Sequence, residues 1–584
     1  MSMPTSPPIG RPKKPSGLFL LLKPYRGLIA ALFALTIVAN SLNLVVPKLI
    51  SRAIDTYTRT AAIPGSITAL FLFVAVLVFL LTYLQSIVQT YASERVARDL
   101  RTRLAAKIAV QSYAYVEKIT PAKLLTNLTS DVDAVKMYVS MAIASILASI
   151  FLIIGSSILL LTINWRLGLY VLAVIPIIGG TFAFALTKVR ALFKKGQEAI
   201  DWLNRVINES ILGAALIRIL NSQHTEFQKF RVANEEAKNI GLSILGIMSA
   251  LIPIITLAVN AATVIILSVG GRFVIFGQMS LGDFTAFNTY LAILVFPIII
   301  LGFMSNVIAM ATASYQRLEV ILTAEAEPKT GVLKPVLQGS VGMDDVSLSF
   351  GEKQVLKQVS FSAPGGSTTA IIGPTAAGKT QLLYLLIGLL KPTSGTVTYD
   401  GEPIDAYDKE NLHRQVGFVF QDSILFNLTL RENIAFSPDA RAEDLEKAIA
   451  AAELQDFIGA LPQGLDTVVS ERGTSLSGGQ KQRVMLARAL ALNPKVLLLD
   501  DFTARVDSTT ERDILKNVHE KYPGITVISV TQKIASVEHY DQILLLMEGE
   551  VLAKGTHAHL METSPEYVQI YDSQRSTNVY ELQA

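Results

Sequence analysis

The chain has 584 residues, 51% of them hydrophobic and only 17% charged, and its 51 basic and 48 acidic side chains leave a formal charge of +3. That length exceeds one hydrophobic core and calls for at least two domains, while the mean hydropathy of +0.43 excludes a disordered chain and an ordinary soluble enzyme. The nearly balanced charge speaks against nucleic-acid binding, which needs a basic excess, and the lack of cysteine excludes disulfides, thiolate catalysis and thiolate metal sites.

The polar, basic, proline-rich start MSMPTSPPIGRPKKPSG has no signal-peptide character, so membrane segments must act as their own insertion signals. Six apolar stretches follow, roughly 27–48, 66–89, 139–163, 166–188, 248–270 and 284–311. Each is long enough to cross a bilayer, which takes about 20 residues. Lysine and arginine crowd the N-terminal segment and the connections after the second and fourth stretches. By the positive-inside rule this puts both termini and those two long connections in the cytoplasm. Ser66 to Tyr113 contains neither glycine nor proline and predicts one helix of about 70 Å, much longer than the hydrocarbon core. The polar side chains within the stretches are mainly Asn40, Asn43, Gln85, Gln89, Asn260, Asn288 and Asn306. They read either as interhelical hydrogen-bond links or as a weakly polar pathway. With almost no charge in the spans, a proton relay is disfavoured and the energy source belongs to the soluble half.

The composition changes near residue 320. The expected division is a transmembrane domain over 1–322, a linker over 323–338 (AEAEPKTGVLKPVLQG) and a soluble domain over 339–584. In the last part, apolar strand-like runs at Thr368–Ile372, Gly417–Val419, Val496–Leu499 and Thr526–Val530 alternate with helical segments. That alternation predicts an α/β domain with a largely parallel sheet. The expected fold class is therefore an α-helical membrane domain of six transmembrane helices plus an α/β P-loop domain.

Three motifs carry chemistry. Gly373-Pro374-Thr375-Ala376-Ala377-Gly378-Lys379-Thr380 fits a phosphate loop: glycines let backbone N–H groups close on phosphate oxygens, and a following helix N-terminus adds positive potential. Lys379 would reach the β- and γ-phosphates and the Thr380 hydroxyl would ligate Mg²⁺. Asp500 ends the run Val496–Leu499, at the carboxyl end where open α/β sheets bind ligands, and would also hold Mg²⁺. Leu476-Ser477-Gly478-Gly479-Gln480 opens a helical segment and reads as a second phosphate-binding N-terminus, or as a plain helix cap on Ser477. Two phosphate sites so far apart suggest a nucleotide sandwiched between two chains.

These motifs, in this order behind six spans, resemble an ATP-binding cassette (ABC) exporter half-transporter of the multidrug or lipid type, over nearly the whole chain. Leu124–Val135 looks like the family's first cytoplasmic loop, and Asn208-Glu209-Ser210 like the start of its second coupling region. The resemblance implies ATP and Mg²⁺ as cofactors. It makes Leu476–Gln480 the signature that meets a partner's ATP, Gln421 the Q-loop glutamine near Mg²⁺, Phe350 the aromatic that stacks on adenine, and Glu471 part of a loop touching the opposite coupling helix. Gln381 completes the phosphate-loop residues, where the family usually has Ser or Thr.

The departures from the pattern are informative. The family's water-polarising Glu falls at Asp501, one methylene shorter, and a misplacement of about 1 Å costs roughly 10²-fold. The switch histidine falls at Gln532, whose amide bonds a phosphate but carries no charge. The D-loop reads Ala504-Arg505-Val506-Asp507. All these changes fall on the Walker side, and the signature side is intact. The expectation is the degenerate-site half of a heterodimer that exports an amphipathic or hydrophobic substrate (a drug-like compound, lipid or peptide) from a bacterial inner membrane, with Asp501 and Gln532 forming a slow catalytic pair. The rivals are a homodimer using Asp501 as base, an exporter-fold importer such as one for a siderophore, and an ATP-gated channel or regulator.

Overall fold

The computed structural model describes residues 17–326, 331–470, 473 and 476–583. The chain divides into two compact units: Met1–Val110 with Ile119–Glu325, and Gln111–Lys118 with Ala326–Ala584.

The first unit is helical. Its six long apolar helices are Lys23–Thr60, Gly65–Ala109, Pro121–Ile163, Trp165–Leu212, Gln223–Ile275 and Leu281–Thr323. Each runs well beyond its apolar stretch, because hydropathy marks only the part that suits lipid. The second is unbroken for 45 residues, about 68 Å at 1.5 Å per residue. It stops at Ala109, and Tyr113 opens a separate short helix, Tyr113–Ile119. The Ser112 hydroxyl accepts from the Tyr115 N–H there, at 3.3 Å. The expected single helix to Tyr113 is thus too long by four residues.

Polar contacts tie the helix ends. Asn164 caps the fourth helix by accepting from Leu167 N–H at 3.2 Å, and Ser280 caps the sixth by accepting from Asp283 N–H at 2.9 Å. The Ser280 hydroxyl also donates to Asp55 at 2.7 Å, while Lys48 and Asp283 pair at 3.0 Å. Leu124–Val135 is helical, lying near the start of the third long helix, and carries a π-helical turn at Asn127–Asp131. Buried Asp131 there is paired with Arg317 of the sixth helix. Asn40, Asn288 and Asn306 bond within their own helices, to Thr36 O, Phe284 O and Met310 Sδ. None of these three uses its amide to link helices.

The second unit holds two sheets. The smaller is antiparallel: β1 (Val341–Phe350), β2 (Lys353–Ala363), β4 (Ser394–Tyr399) and β5 (Glu402–Pro403), in the order β2-β1-β4-β5. The larger joins β3 (Thr368–Ile372), β6 (Val416–Val419), β7 (Val496–Asp500), β8 (Thr526–Val530), β9 (Gln542–Met547) and β10 (Glu550–Gly555) in the order β10-β9-β3-β8-β7-β6. Every pairing in it is parallel except β9 with β10. β3, β7 and β8 are buried along their whole length, as expected for a parallel sheet covered on both faces. Alternate residues feed different cores: Val496 and Leu498 pack with Leu382, Leu386 and Leu356, whereas Leu497 and Leu499 pack with Leu486, Leu490 and Phe502. The strand period of two thus fixes which side chains support the phosphate loop and which support the signature helix.

Candidate functional site

The phosphate loop leaves β3 at Gly373 and enters helix Lys379–Leu386. Three residues of the loop have left-handed or related backbone: Gly373 (φ 154), Ala376 (φ 66) and Gly378 (φ 97). A Cβ on Gly373 would lie 2.0 Å from Leu546 O, and one on Gly378 2.8 Å from the Leu356 side chain, so only glycine fits either place. Ala376 is the exception, a residue with a Cβ held in the αL region at a cost of about 1 kcal/mol. Pro374, Thr375 and Ala376 are exposed, while Ala377, Gly378 and Lys379 are buried. Gly378 is the helix N-cap with no side-chain cap, so the first-turn N–H groups remain available to an anion.

Lys379 is 8% exposed, and its ammonium donates to Gly373 O at 2.8 Å and Pro374 O at 2.7 Å. Burial pulls its pKa below the usual lysine value, opposed by the charges of Asp501 and Asp500. The loop carbonyls hold the ammonium where a phosphate oxygen would compete for it. The Thr380 hydroxyl donates to Asp500 Oδ1 at 3.1 Å. Asp500 is 1% exposed, and its Oδ2 has no hydrogen-bond partner among the described residues. Burial pushes its carboxyl up to about 6, against the Thr380 hydrogen bond. A buried carboxylate with one oxygen orphaned beside a hydroxyl is a donor pair that suits a hard divalent cation. Gln381 follows in the helix, half-buried.

Asp501 has φ 48, and its N–H donates to Val530 O at 2.9 Å. Aspartate tolerates this left-handed conformation better than most residues. Burial raises its carboxyl pKa, against the pull of Lys379, Lys533 and Arg505. Gln532 lies just past β8, beside the strand that ends in Asp500; its side chain is exposed and its carbonyl accepts from Gln574 Nε2 at 2.6 Å. Phe350 ends β1 with 49% exposure, an aromatic face free to stack. Gln421 is exposed, and its carbonyl accepts from Gln482 Nε2 at 3.3 Å.

Ser477 caps helix Gly478–Leu490 with a reciprocal box: Ser477 N–H donates to Gln480 Oε1 at 2.8 Å, and Gln480 N–H to Ser477 Oγ at 3.3 Å. Leu476 precedes the cap. Among the described residues no hydrogen bond joins this motif to the phosphate loop. Glu471 lies outside the described residues.

Placing every departure on the Walker side needs correction. A Cβ on Gly478 would stand 3.2 Å from Arg505 Cδ, and one on Gly479 2.9 Å from Arg505 O. The unusual D-loop arginine is therefore packed against the signature glycines. Sequence spacing also gave no sign of an aromatic group around Tyr384. The Tyr113 ring meets Tyr384 edge-on at 5.6 Å, and Phe420 lies 6.2 Å from Tyr384. This packs the short helix starting at Tyr113 against the phosphate-loop helix Lys379–Leu386. Only the lone tyrosine and phenylalanines hinted at it, and such residues read equally well as core.

Comparison with known proteins follows the same division. The family described as ABC transporter transmembrane region matches residues 29–298, and that described as ABC transporter matches residues 356–504. An uncharacterized ABC transporter ATP-binding protein of Bacillus subtilis (strain 168), YfiB, is 33% identical over 562 residues, 95% of this chain and 97% of that protein. The probable multidrug resistance ABC transporter ATP-binding/permease protein YheI of the same strain is 29% identical over 558 residues, 93% of this chain and 94% of its own. An ATP-dependent lipid A-core flippase of Syntrophus aciditrophicus (strain SB) is 29% identical over 497 residues, 84% and 83%. The solved structure of a bacterial Atm1-family ABC exporter with ATP bound shares the fold, with a TM-score of 0.74 and 24% identity over 94% of this chain and 98% of that one.

Proposed function

The chain belongs to the ABC transporter family as an exporter-type half-transporter, a multi-pass membrane protein whose transport is driven by an ATPase unit, and on that premise we propose that it is the slow-hydrolysing half of a heterodimer exporting amphipathic or hydrophobic molecules. We place a transmembrane domain at 1–322, a linker at 323–338 and the nucleotide-binding domain at 339–584. The nucleotide-binding domain and both termini face the cytoplasm, and the membrane is the bacterial inner membrane.

The Walker side of this chain binds ATP. Lys379 exchanges its two loop carbonyls for β/γ-phosphate oxygens, and the free N–H groups after Gly378 face the same anion. Thr380 and Asp500, with Gln421, would hold Mg²⁺, which would supply neutralising charge at the phosphates. Phe350 stacks on the base. The signature Leu476–Gln480 completes the site of a partner chain. Through the Tyr113–Tyr384 contact, closure of the nucleotide-binding domain carries the short helix Tyr113–Ile119 with it. Helix Ala214–Ile219 supports a partner: Leu212 and Ile219 around it are 80% and 77% exposed, an apolar surface suited to a second chain.

The observation that carries slow hydrolysis is Asp501. Its short carboxylate sits on left-handed backbone, with burial raising its pKa and Gln532 supplying no charge nearby. Neutralising a group so placed removes little transition-state stabilisation. Asp501→Asn should therefore change ATPase of the assembled pair little. A chain purified alone that hydrolyses ATP briskly, and stops with Asp501→Asn, would make it a homodimer with Asp501 as base.

A further inference from the structure

The helical unit has an open-sided cavity of ≈ 520 Å³ among its first, second, third and sixth helices. It falls in the range of drug-sized sites, about 300–1,000 Å³. Among the residues lining it are Asn43, Pro47, Gln85, Gln89, Ile293 and Pro297, and none of its lining residues is ionisable. Two of the helices that meet there carry a proline, Pro47 and Pro297. Proline has no N–H, so the carbonyl four residues earlier loses its helical donor. Those carbonyls belong to Asn43 and Ile293, and both residues line this same cavity.

In lipid an unsatisfied carbonyl is costly, and non-helical valences survive where protein or cavity contents meet them. The adjacent Leu44 carbonyl has a donor, the buried Tyr290 hydroxyl at 2.8 Å. No side chain among the described residues donates to the Asn43 or Ile293 carbonyl. Gln89 gives its amide N–H to the Ser140 carbonyl, which leaves its oxygen as an acceptor. The cavity thus offers the two proline-freed carbonyls and the Gln89 oxygen as acceptors, the two-sided amides of Asn43 and Gln85, an otherwise largely apolar wall and no countercharge. A buried ion would go unneutralised, whereas a neutral N–H or O–H donor would satisfy the freed oxygens.

We propose that this cavity binds an uncharged amphiphile bearing hydrogen-bond donors, within a single protomer, using the proline-freed carbonyls of Asn43 and Ile293 with Gln85 and Gln89. The proposal rests on the exporter reading for the reason a ligand enters.

The test uses the full chain, isolated from membranes with its partner and placed in nanodiscs. Three radiolabelled probes of equal size are compared: a dialkyl secondary diamide, its N,N′-dimethylated tertiary diamide and a quaternary ammonium counterpart. The secondary diamide should bind about tenfold tighter than either, the worth of roughly one good buried hydrogen bond. Pro297→Ala, which returns an N–H to Ile293, should weaken the secondary diamide about tenfold and leave the tertiary one unchanged. Pro253→Ala, in the fifth helix and not among the lining residues, should change neither binding nor basal ATPase. Ala292→Phe fills the cavity without touching the backbone and should abolish diamide binding even if Pro297→Ala misfolds. Equal affinities for the three probes, or full secondary-diamide binding by Ala292→Phe, would overturn the proposal. A preparation that hydrolyses ATP and binds no probe refutes this site alone. Selective diamide binding without ATP-dependent transport refutes the exporter reading alone.

Discussion

Asp500 is a buried side chain whose charge the fold accommodates poorly. It is 1% exposed with one oxygen unpartnered, and burial pushes its carboxyl up from 3.8 to about 6. A rise of about two units at 1.36 kcal/mol each makes the ionised form cost roughly 3 kcal/mol, to order of magnitude. Because the folded pKa is raised, the proton is held more tightly by the folded state. The cost is absent well below pH ~4, grows as pH rises between about 4 and 6, and is complete above that. Asp500→Asn keeps the shape, still accepts from Thr380 and carries no charge. Allowing about 1–2 kcal/mol for an amide with its own unmet hydrogen bonds, the substitution should stabilise the ATP-binding unit by about 1–2 kcal/mol near pH 8. That is a rise of roughly 2–8 °C in unfolding midpoint for a unit of this size. Near pH 4.5, where the cost is only about 1 kcal/mol, the gain should vanish. The assay is thermal unfolding of the detergent-solubilised chain in EDTA, followed by differential scanning calorimetry, because both tryptophans, Trp165 and Trp202, lie in the helical unit. Mg²⁺-ATP should reverse the ranking, since the wild-type carboxylate then gains a cation and the variant does not. An Asn variant no more stable than wild type near pH 8, or equally favoured at both pH values, would refute the reasoning.

Lys379→Ala removes a charge-assisted contact worth about 1.5–3 kcal/mol, so isothermal titration should find ATP binding to this chain weaker by about 10- to 100-fold. Gly479→Ala forces a Cβ to 2.9 Å from the Arg505 carbonyl whereas Gly478→Ala meets only the flexible Arg505 stem; the former should cost about 1–3 kcal/mol in unfolding free energy and the latter less than about 1. Asp501→Glu alone should not speed hydrolysis, because the longer side chain must also occupy left-handed backbone, while Asp501→Glu with Gln532→His should raise single-site turnover measured with the partner's site inactivated.

The six spans and the parallel sheet were legible because each is declared by neighbours in sequence: an apolar run of lipid-crossing length, or a buried strand bounded by turns. Gly373–Thr380 and Asp500 were legible as candidate site residues for the same reason, being short contiguous motifs next to β3 and in β7. What the sequence hid depends on the path of the chain. The third helix runs on from Pro121 ahead of its apolar stretch at 139–163, and its π-helical turns at Asn127–Asp131 and Tyr138–Ala142 shift the helical face in a way the 3.6-residue period does not declare. Arg505 looked like a Walker-side change because D-loop and signature lie about thirty residues apart, a distance only the fold removes. Asn43, Gln85 and Gln89 were individually ambiguous for the same reason: no spacing rule says that two prolines on different helices free their carbonyls toward one place.

The helix Gly65–Ala109 contains no proline and, after its first residue, no glycine, and those are the residues at which helices commonly bend. It therefore behaves as a stiff rod of about 68 Å. A tilt of about 5° at one end sweeps the other by roughly 6 Å, more than one helical turn. Small angular errors at the membrane end are magnified to the same degree.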